Sequence, residues 1–161
     1  MSNEVTNVIV AGLGGQGVLL ASDILAETVF AAGLDVKKAE VHGMSQRGGS
    51  VASDVRFARE VLSPMVPTGE ADFLVVLAED EVAIHRGLLR PGGVLIAPDA
   101  VDAALLPHRR SLNVALLGVL SRHLPFDPAL WHEAIGKNVK PELVEANLRA
   151  FDLGRGRDAL S

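Results

Sequence analysis

A short stretch near the start of the chain, Gly12-Leu13-Gly14-Gly15-Gln16-Gly17, has the residue types and spacing to bind an anion. It follows the apolar run Val8-Ile9-Val10-Ala11 and precedes a helical pattern beginning near Val18. Glycine lets a backbone turn sharply without a Cβ clash, and the unpaired N–H groups of a helix start then face whatever sits there. The spacing satisfies G-x-G-x-x-G in the strand–turn–helix context of a dinucleotide or phosphate site. A tight strand–helix corner with no ligand explains the same residues, so the pattern alone leaves both readings open.

A second glycine-rich stretch, His42-Gly43-Met44-Ser45-Gln46-Arg47-Gly48-Gly49-Ser50, has no periodicity and reads as a loop. If the strands before the two loops are parallel neighbours, both loops lie at carboxyl ends, the edge where open α/β sheets bind ligands. Gly14, Gly15, Gln16 and Gly17 would then share a site with Ser45, Gln46, Arg47 and Gly48. Arg47 is the only cation in either loop, and its guanidinium suits phosphate or carboxylate. A solvated loop arginine is the plainer alternative. Gln16 and Gln46 serve either to bond a ligand or to tie the loops together.

Other polar residues have simpler explanations. Glu40 lies roughly where the ribose-binding acid of a dinucleotide fold belongs, but pairing with Lys38 or Arg47 accounts for it more economically. His42 fits a structural hydrogen bond better than a titrating role. His85, His108, His123 and His132 lack metal-ligand spacing and read as helix-surface residues. Glu79-Asp80-Glu81 could offer oxygen ligands to a metal, yet helix capping explains them with fewer assumptions. Trp131 reads as a core or interface residue. No serine or cysteine sits in a nucleophile elbow. The expectation is binding loops without a catalytic residue or a metal site.

These loops need elements to hold them. Thr6–Ala11 reads as a buried strand, and a helix follows over about Val18–Ala32, stopped by Gly33. A second strand covers about Val36–Val41. Val51, Ser53, Val55 and Phe57 alternate with Ala52, Asp54 and Arg56, a strand of period two. The intervening loop is shorter than a parallel crossover, so this third strand should run antiparallel to its neighbour. Glu60–Ala71, with Pro64, Pro67 and Gly69, reads as an irregular arm. Asp72–Leu77 is a strand, Glu79 or Asp80 caps a helix to about Leu89, and Pro91-Gly92-Gly93 turns into the strand Val94–Ala97. The order is a right-handed βαβ unit. Three helices complete the chain, around Leu112–Leu120, from the N-cap Asp127 with Pro128 to Ile135, and from Pro141 to near Gly154. The fold class is α/β, a three-layer Rossmann-like open sheet, mostly parallel with at least one antiparallel strand and helices on both faces. Residues 1–154 read as a single domain and 155–161 as a polar tail.

Composition narrows the function. The 161 residues suffice for one core, and only 4% are aromatic, which suits aliphatic packing over an aromatic recognition surface. A net charge of −5 with no basic run argues against nucleic acid. The chain contains no cysteine, which excludes disulfides and thiolate-held zinc or iron–sulfur clusters within it. Met1-Ser2-Asn3-Glu4 carries no signal-peptide pattern and no apolar run is long enough to cross a bilayer, so the expected location is cytoplasmic.

Taken together, the loops Gly12–Val18 and Glu40–Val51 resemble the gamma subunit or domain of 2-oxoacid:ferredoxin oxidoreductases, most closely the small (beta) subunit type of indolepyruvate ferredoxin oxidoreductase. Further echoes are Gly69–Leu77, Pro91-Gly92-Gly93, Asn113 with Leu117-Gly118, and Asn147-Leu148 through Ala150-Phe151 to Gly154. The resemblance implies an accessory subunit of an enzyme that oxidatively decarboxylates a 2-oxoacid, with indolepyruvate as the example, to an acyl-CoA. Electrons pass to ferredoxin or another acceptor. It implies that thiamine diphosphate and iron–sulfur clusters reside in a large catalytic partner. This chain would hold no cofactor alone; the resemblance implicates it in handling coenzyme A, shared at the loops, with Gly15, Gln16, Gln46 and Arg47 as candidate ligand or subunit-interface positions. The stretch between Ala97 and Asn113 is shorter than indolepyruvate-type subunits carry. Two other classes remain: an autonomous NAD(P)-dependent oxidoreductase, opposed by the missing crossover helix, and a stand-alone nucleotide-binding module.

Overall fold

The computed structural model describes residues 4–42 and 49–156. Five strands form one sheet in the order β2-β3-β1-β4-β5. They are β1 (Thr6–Leu13), β2 (Asp35–His42), β3 (Ser50–Ala58), β4 (Ala71–Val76) and β5 (Leu89–Ile96). β1 pairs parallel with β4, and β4 with β5, whereas β3 runs antiparallel to both β1 and β2. The antiparallel third strand follows from the short connection after β2, as expected. What the sequence did not reveal is its position. β3 inserts between β1 and β2, so the two strands that precede the glycine loops point the same way but are not neighbours.

The long helices α1 (Val18–Ala31), α3 (Leu112–Ser121), α4 (Pro128–Asn138) and α5 (Val144–Arg155) complete the main core. Val8, Val10, Val55, Phe57, Val75 and Ile96 project from one sheet face into it, against Ile24, Leu25, Leu116 and Leu120. β1 and β4 are apolar almost throughout because both of their faces are covered. Trp131 is fully buried and packs on Phe151 with ring centroids 5.5 Å apart, so it is a core residue. Asp127 caps α4 by accepting from Ala129 N at 2.9 Å, with Pro128 in the first turn. α5 runs to Arg155, where Gly156 takes the left-handed cap conformation. Arg155, expected at the start of the tail, instead donates to the Ser121 carbonyl and hydroxyl.

The opposite face is covered differently. Ile9, Ala11, Ala52, Leu74 and Val76 meet Val66 from the arm, with Val82 and Leu88 packed against them. The arm is tied down by polar groups: Asp35 accepts from Val61 N, Asp54 accepts from Val66 N, and Arg56 donates to the Ser63 carbonyl. The helix expected from Asp80 to Leu89 contains only one α turn, α2 (Val82–His85), between 3₁₀ turns at Glu79–Glu81 and Arg86–Leu88. Gly87 weakens helical continuation immediately after it. β5 starts at Leu89 rather than Val94, and the edge position lets it absorb Pro91 through an irregularity opposite Ala71–Phe73.

Candidate functional site

The first glycine stretch forms the turn from β1 to α1. Gly15 and Gly17 have φ of 89° and 84°, values that favour glycine, and Gly17 is the N-cap of α1 without any side-chain cap. Gly14 N donates to the Gly49 carbonyl at 3.0 Å, which joins the first turn to the end of the second glycine-rich stretch. Gln16 closes the turn from inside. Its Oε1 accepts from Leu13 N at 2.7 Å, and its Nε2 donates to the Leu77 carbonyl at 3.4 Å. It therefore ties the carboxyl ends of β1 and β4, a different pair of segments from the two glycine loops. These two strands lead to opposite sides of the sheet, so the turn sits at the topological switch point.

A cleft of about 830 Å³ opens beside this turn. Gly15, Gln16 and Gly17 form one wall, Arg109–Asn113 a second, and Asn138–Lys140 with Leu143, Ala146 and Asn147 a third. The starts of α1, α3 and α5 all border it, and none of the three carries a side-chain cap. At α1 the uncapped first-turn N–H groups and the dipole favour negative charge in the cleft. α3 and α5 instead continue 3₁₀ turns, in which Leu112 N and Val144 N already donate to the Arg109 and Pro141 carbonyls and Val114 N to Asn113 Oδ1. Among the described residues, three cations, Arg109, Arg110 and Lys140, lie on the lining with His108, and no carboxylate does. None of the three cations has an ion-pair partner among the described residues. Leu20, Leu77, Leu112, Val139, Leu143 and Ala146 give the cleft an apolar floor. A cationic mouth over an apolar floor suits an amphipathic anion, such as a phosphorylated organic molecule.

Asn113 locks the cleft's base. It is buried, its Nδ2 donates to the Gly17 carbonyl at 3.2 Å, and its Oδ1 accepts from Val114 N. A Cβ on Gly17 would lie 2.4 Å from Asn113 Nδ2, so the close approach itself requires glycine.

The remaining sequence candidates distribute as follows. Gly15, Gln16 and Gly17 line the cleft and Gly14 instead bonds the Gly49 carbonyl, whereas Ser45, Gln46, Arg47 and Gly48 lie outside the described residues. Glu40 is on the edge strand β2, separated from β1 by β3, and meets Lys38 at 3.7 Å. The ribose-acid geometry is lost with that separation, which removes the main support for an autonomous NAD(P) enzyme. The His42 side chain is likewise outside the description. Glu79-Asp80-Glu81 does not cap a helix through a side chain; Ala78 occupies the cap, and Glu81 is buried. His85 is no surface residue, being 8% exposed beside Glu81. His132 meets Asp152 at 2.8 Å, and His123 stacks on Phe73. Among the described residues no three His, Asp or Glu side chains group as metal ligands. Sequence reasoning missed Arg109, Arg110 and Lys140. An Arg-Arg pair just ahead of the apolar helix at Leu112 was the available signal, but the fold alone brings it to a turn nearly a hundred residues earlier.

An open α/β sheet with a cationic cleft at its switch point is a geometry suited to holding an anionic ligand. Residues 7–157 match the family described as pyruvate ferredoxin/flavodoxin oxidoreductase, and the chain belongs to that family. It is 31% identical over 188 aligned positions to the indolepyruvate oxidoreductase subunit IorB of Pyrococcus horikoshii, covering 92% of this chain and 93% of that one. The alignment exceeds the 161 residues present here, so that relative carries residues this chain lacks. The 2-oxoglutarate synthase subunit KorC of Methanothermobacter thermautotrophicus is 28% identical, with 91% of each chain covered. Among solved structures, the gamma subunit of a keto/oxoacid ferredoxin oxidoreductase from Geobacter sulfurreducens superposes with a TM-score of 0.80 at 21% identity, covering 98% of both chains. The 2-oxoglutarate:ferredoxin oxidoreductase of Magnetococcus marinus, a structure with coenzyme A bound, gives 0.81 at 20% identity. There the match covers 99% of this chain and 32% of the longer one. Both share the fold. No helix among the described residues is long and apolar enough to cross a membrane.

Proposed function

We propose that this chain is the small, gamma-type subunit of a thiamine diphosphate and iron–sulfur dependent 2-oxoacid oxidoreductase, with an aryl 2-oxoacid such as indolepyruvate as substrate. The observation that carries the reading is the end-to-end correspondence with a relative named as an indolepyruvate oxidoreductase subunit. The absence of cysteine supports it, because the thiolate ligands of the clusters must then come from a partner. The large subunit performs decarboxylation and electron transfer to ferredoxin or an equivalent acceptor, in the cytoplasm. The domain comprises residues 1–154 and a short polar end.

Within that complex the cleft handles coenzyme A, which supplies the thiol that accepts the acyl group. Gly15, Gly17 and the helix start of α1 offer N–H groups to phosphate oxygens. Arg109, Arg110 and Lys140 supply charge at the mouth, and the leucine floor excludes water from the apolar part of the molecule. Arg47, with Ser45, Gln46 and Gly48, is the complementary contact from the second loop. Gln16 holds the turn's shape from below.

Co-expression with the large subunit tests the assignment. The isolated chain should show no 2-oxoacid oxidation, and adding it to the large subunit should restore coenzyme A-dependent turnover with indolepyruvate. Activity of the isolated chain, or full activity of the large subunit without it, would overturn the reading.

A further inference from the structure

Behind the glycine turn lies a buried polar cluster that the cleft does not use. Glu81 and His85 are 5% and 8% exposed. Glu81 Oε1 accepts a hydrogen bond from the Ser50 hydroxyl and lies 3.3 Å from His85 Nε2. Among the described residues no arginine or lysine pairs with this carboxylate. A buried carboxylate is tolerated where its oxygens are hydrogen-bonded, and here the Ser50 hydroxyl and the His85 ring make those contacts. Helix capping does not account for it, since the 3₁₀ turn at Glu79–Glu81 has no side-chain cap.

The cluster's position gives it a role. Ser50 is the first residue of β3 and pairs in register with Leu13, the last residue of β1. The preceding residue, Gly49, accepts the Gly14 amide of the glycine turn. Glu81 stands just beyond the end of β4, whose exit is held to β1 by Leu77 N donating to the Ala11 carbonyl at 2.8 Å. One carboxylate thus links the start of β3 and the exit of β4 on either side of the turn. We propose that Glu81, oriented by His85 and acting through Ser50, is a positioning residue for the glycine turn, setting the Gly49–Gly14 contact and with it the acceptor-binding shape of the cleft. Its link to acceptor binding rests on the function proposed above.

The test uses the assembled oxidoreductase with Ser50→Ala, Ser50→Thr and Glu81→Gln, and with Arg110→Ser as a reference from the cleft itself. Ser50→Ala should speed amide exchange in the peptide containing Gly14 and raise the KM for coenzyme A about tenfold, as loss of one bond to a charged group does, with kcat retained. Ser50→Thr should restore both. Glu81→Gln, which keeps an acceptor but loses the charge, should fall between. Unchanged exchange at Gly14 in Ser50→Ala overturns the inference. So does an unchanged KM in Ser50→Ala while Arg110→Ser raises it. An unchanged KM in both overturns the acceptor reading of the cleft, with the exchange data then reporting on the positioning contact alone. Because Ser50→Ala removes a single hydroxyl, it remains informative even if Glu81→Gln fails to fold.

Discussion

Two aspartates hold the same arm and respond to acid in opposite directions. Asp54 is 6% exposed, and desolvation raises its carboxyl above the ordinary 3.8, against the lowering effects of Val66 N–H and Arg56. Asp35 is lowered from 3.8, first by the Val61 N–H bond and then by Lys37. A raised carboxylate contributes stability that is present below its unfolded value and is lost as pH rises through its folded one. A lowered carboxylate contributes above its unfolded value and is lost as pH falls through its folded one. Asp54→Asn keeps an acceptor for Val66 N–H and should remove the loss of stability that begins above 3.8. Urea unfolding midpoints from acid to neutral pH check this: the variant should match or exceed the parent at neutral pH. Asp35→Asn should instead be less stable than the parent at neutral pH, and the difference should vanish in acid. The role of Asp54 was not readable from the alternation of β3, which marks one face as polar. The arm turns that face into a buried one.

At the scale of elements, the walls of the cleft depend on how closely helices cross. A Cβ on Gly154 would lie 1.8 Å from the Ala115 carbonyl oxygen, and one on Gly118 would lie 2.1 Å from that of Phe151. Backbone cannot yield as a flexible side chain does, so α3 and α5 must separate to accept either change. Gly154→Ala should therefore destabilise the chain by about 1–3 kcal/mol or more, measured by urea unfolding. It should also weaken acceptor binding, because both helix starts border the cleft. The 3₁₀ turn ahead of α3 makes a separate prediction. Arg109→Ser with Arg110→Ser removes charge from exposed positions, so the fold should persist, as judged by an unchanged thermal midpoint. If either arginine bonds a phosphate, the KM for coenzyme A should rise roughly tenfold to a hundredfold. An unaltered KM would return both to solvent. The pair was visible in the sequence as adjacent basic residues before a helix, but nothing local assigned it to the glycine turn.

At the scale of the molecule, the chain has a cationic cleft and contains no cysteine with which to ligate an iron–sulfur cluster itself. A tagged chain purified from its native source should bring down a large thiamine diphosphate-containing partner. Recovery of the chain alone at native levels would count against the subunit assignment. Local sequence was sufficient for most of the architecture. The glycine turn, the antiparallel β3, the βαβ unit and the capped α4 each follow from signals within a few residues: positive-φ glycines, alternation, loop length, or Asp-Pro at a helix start. The order of the strands needed tertiary structure, because the residues from Gly43 to Gly49 limit the direction of β3 but not which edge of β2 or β1 it joins. That one choice separates Glu40 from the glycine turn. The burial of Glu81 and His85, and the gathering of Arg109, Arg110 and Lys140 at one mouth, were likewise decided by packing. Hydrophobic periodicity encodes which face of an element turns inward, whereas contacts between polar residues far apart in the chain exist only once the helices and the sheet have docked.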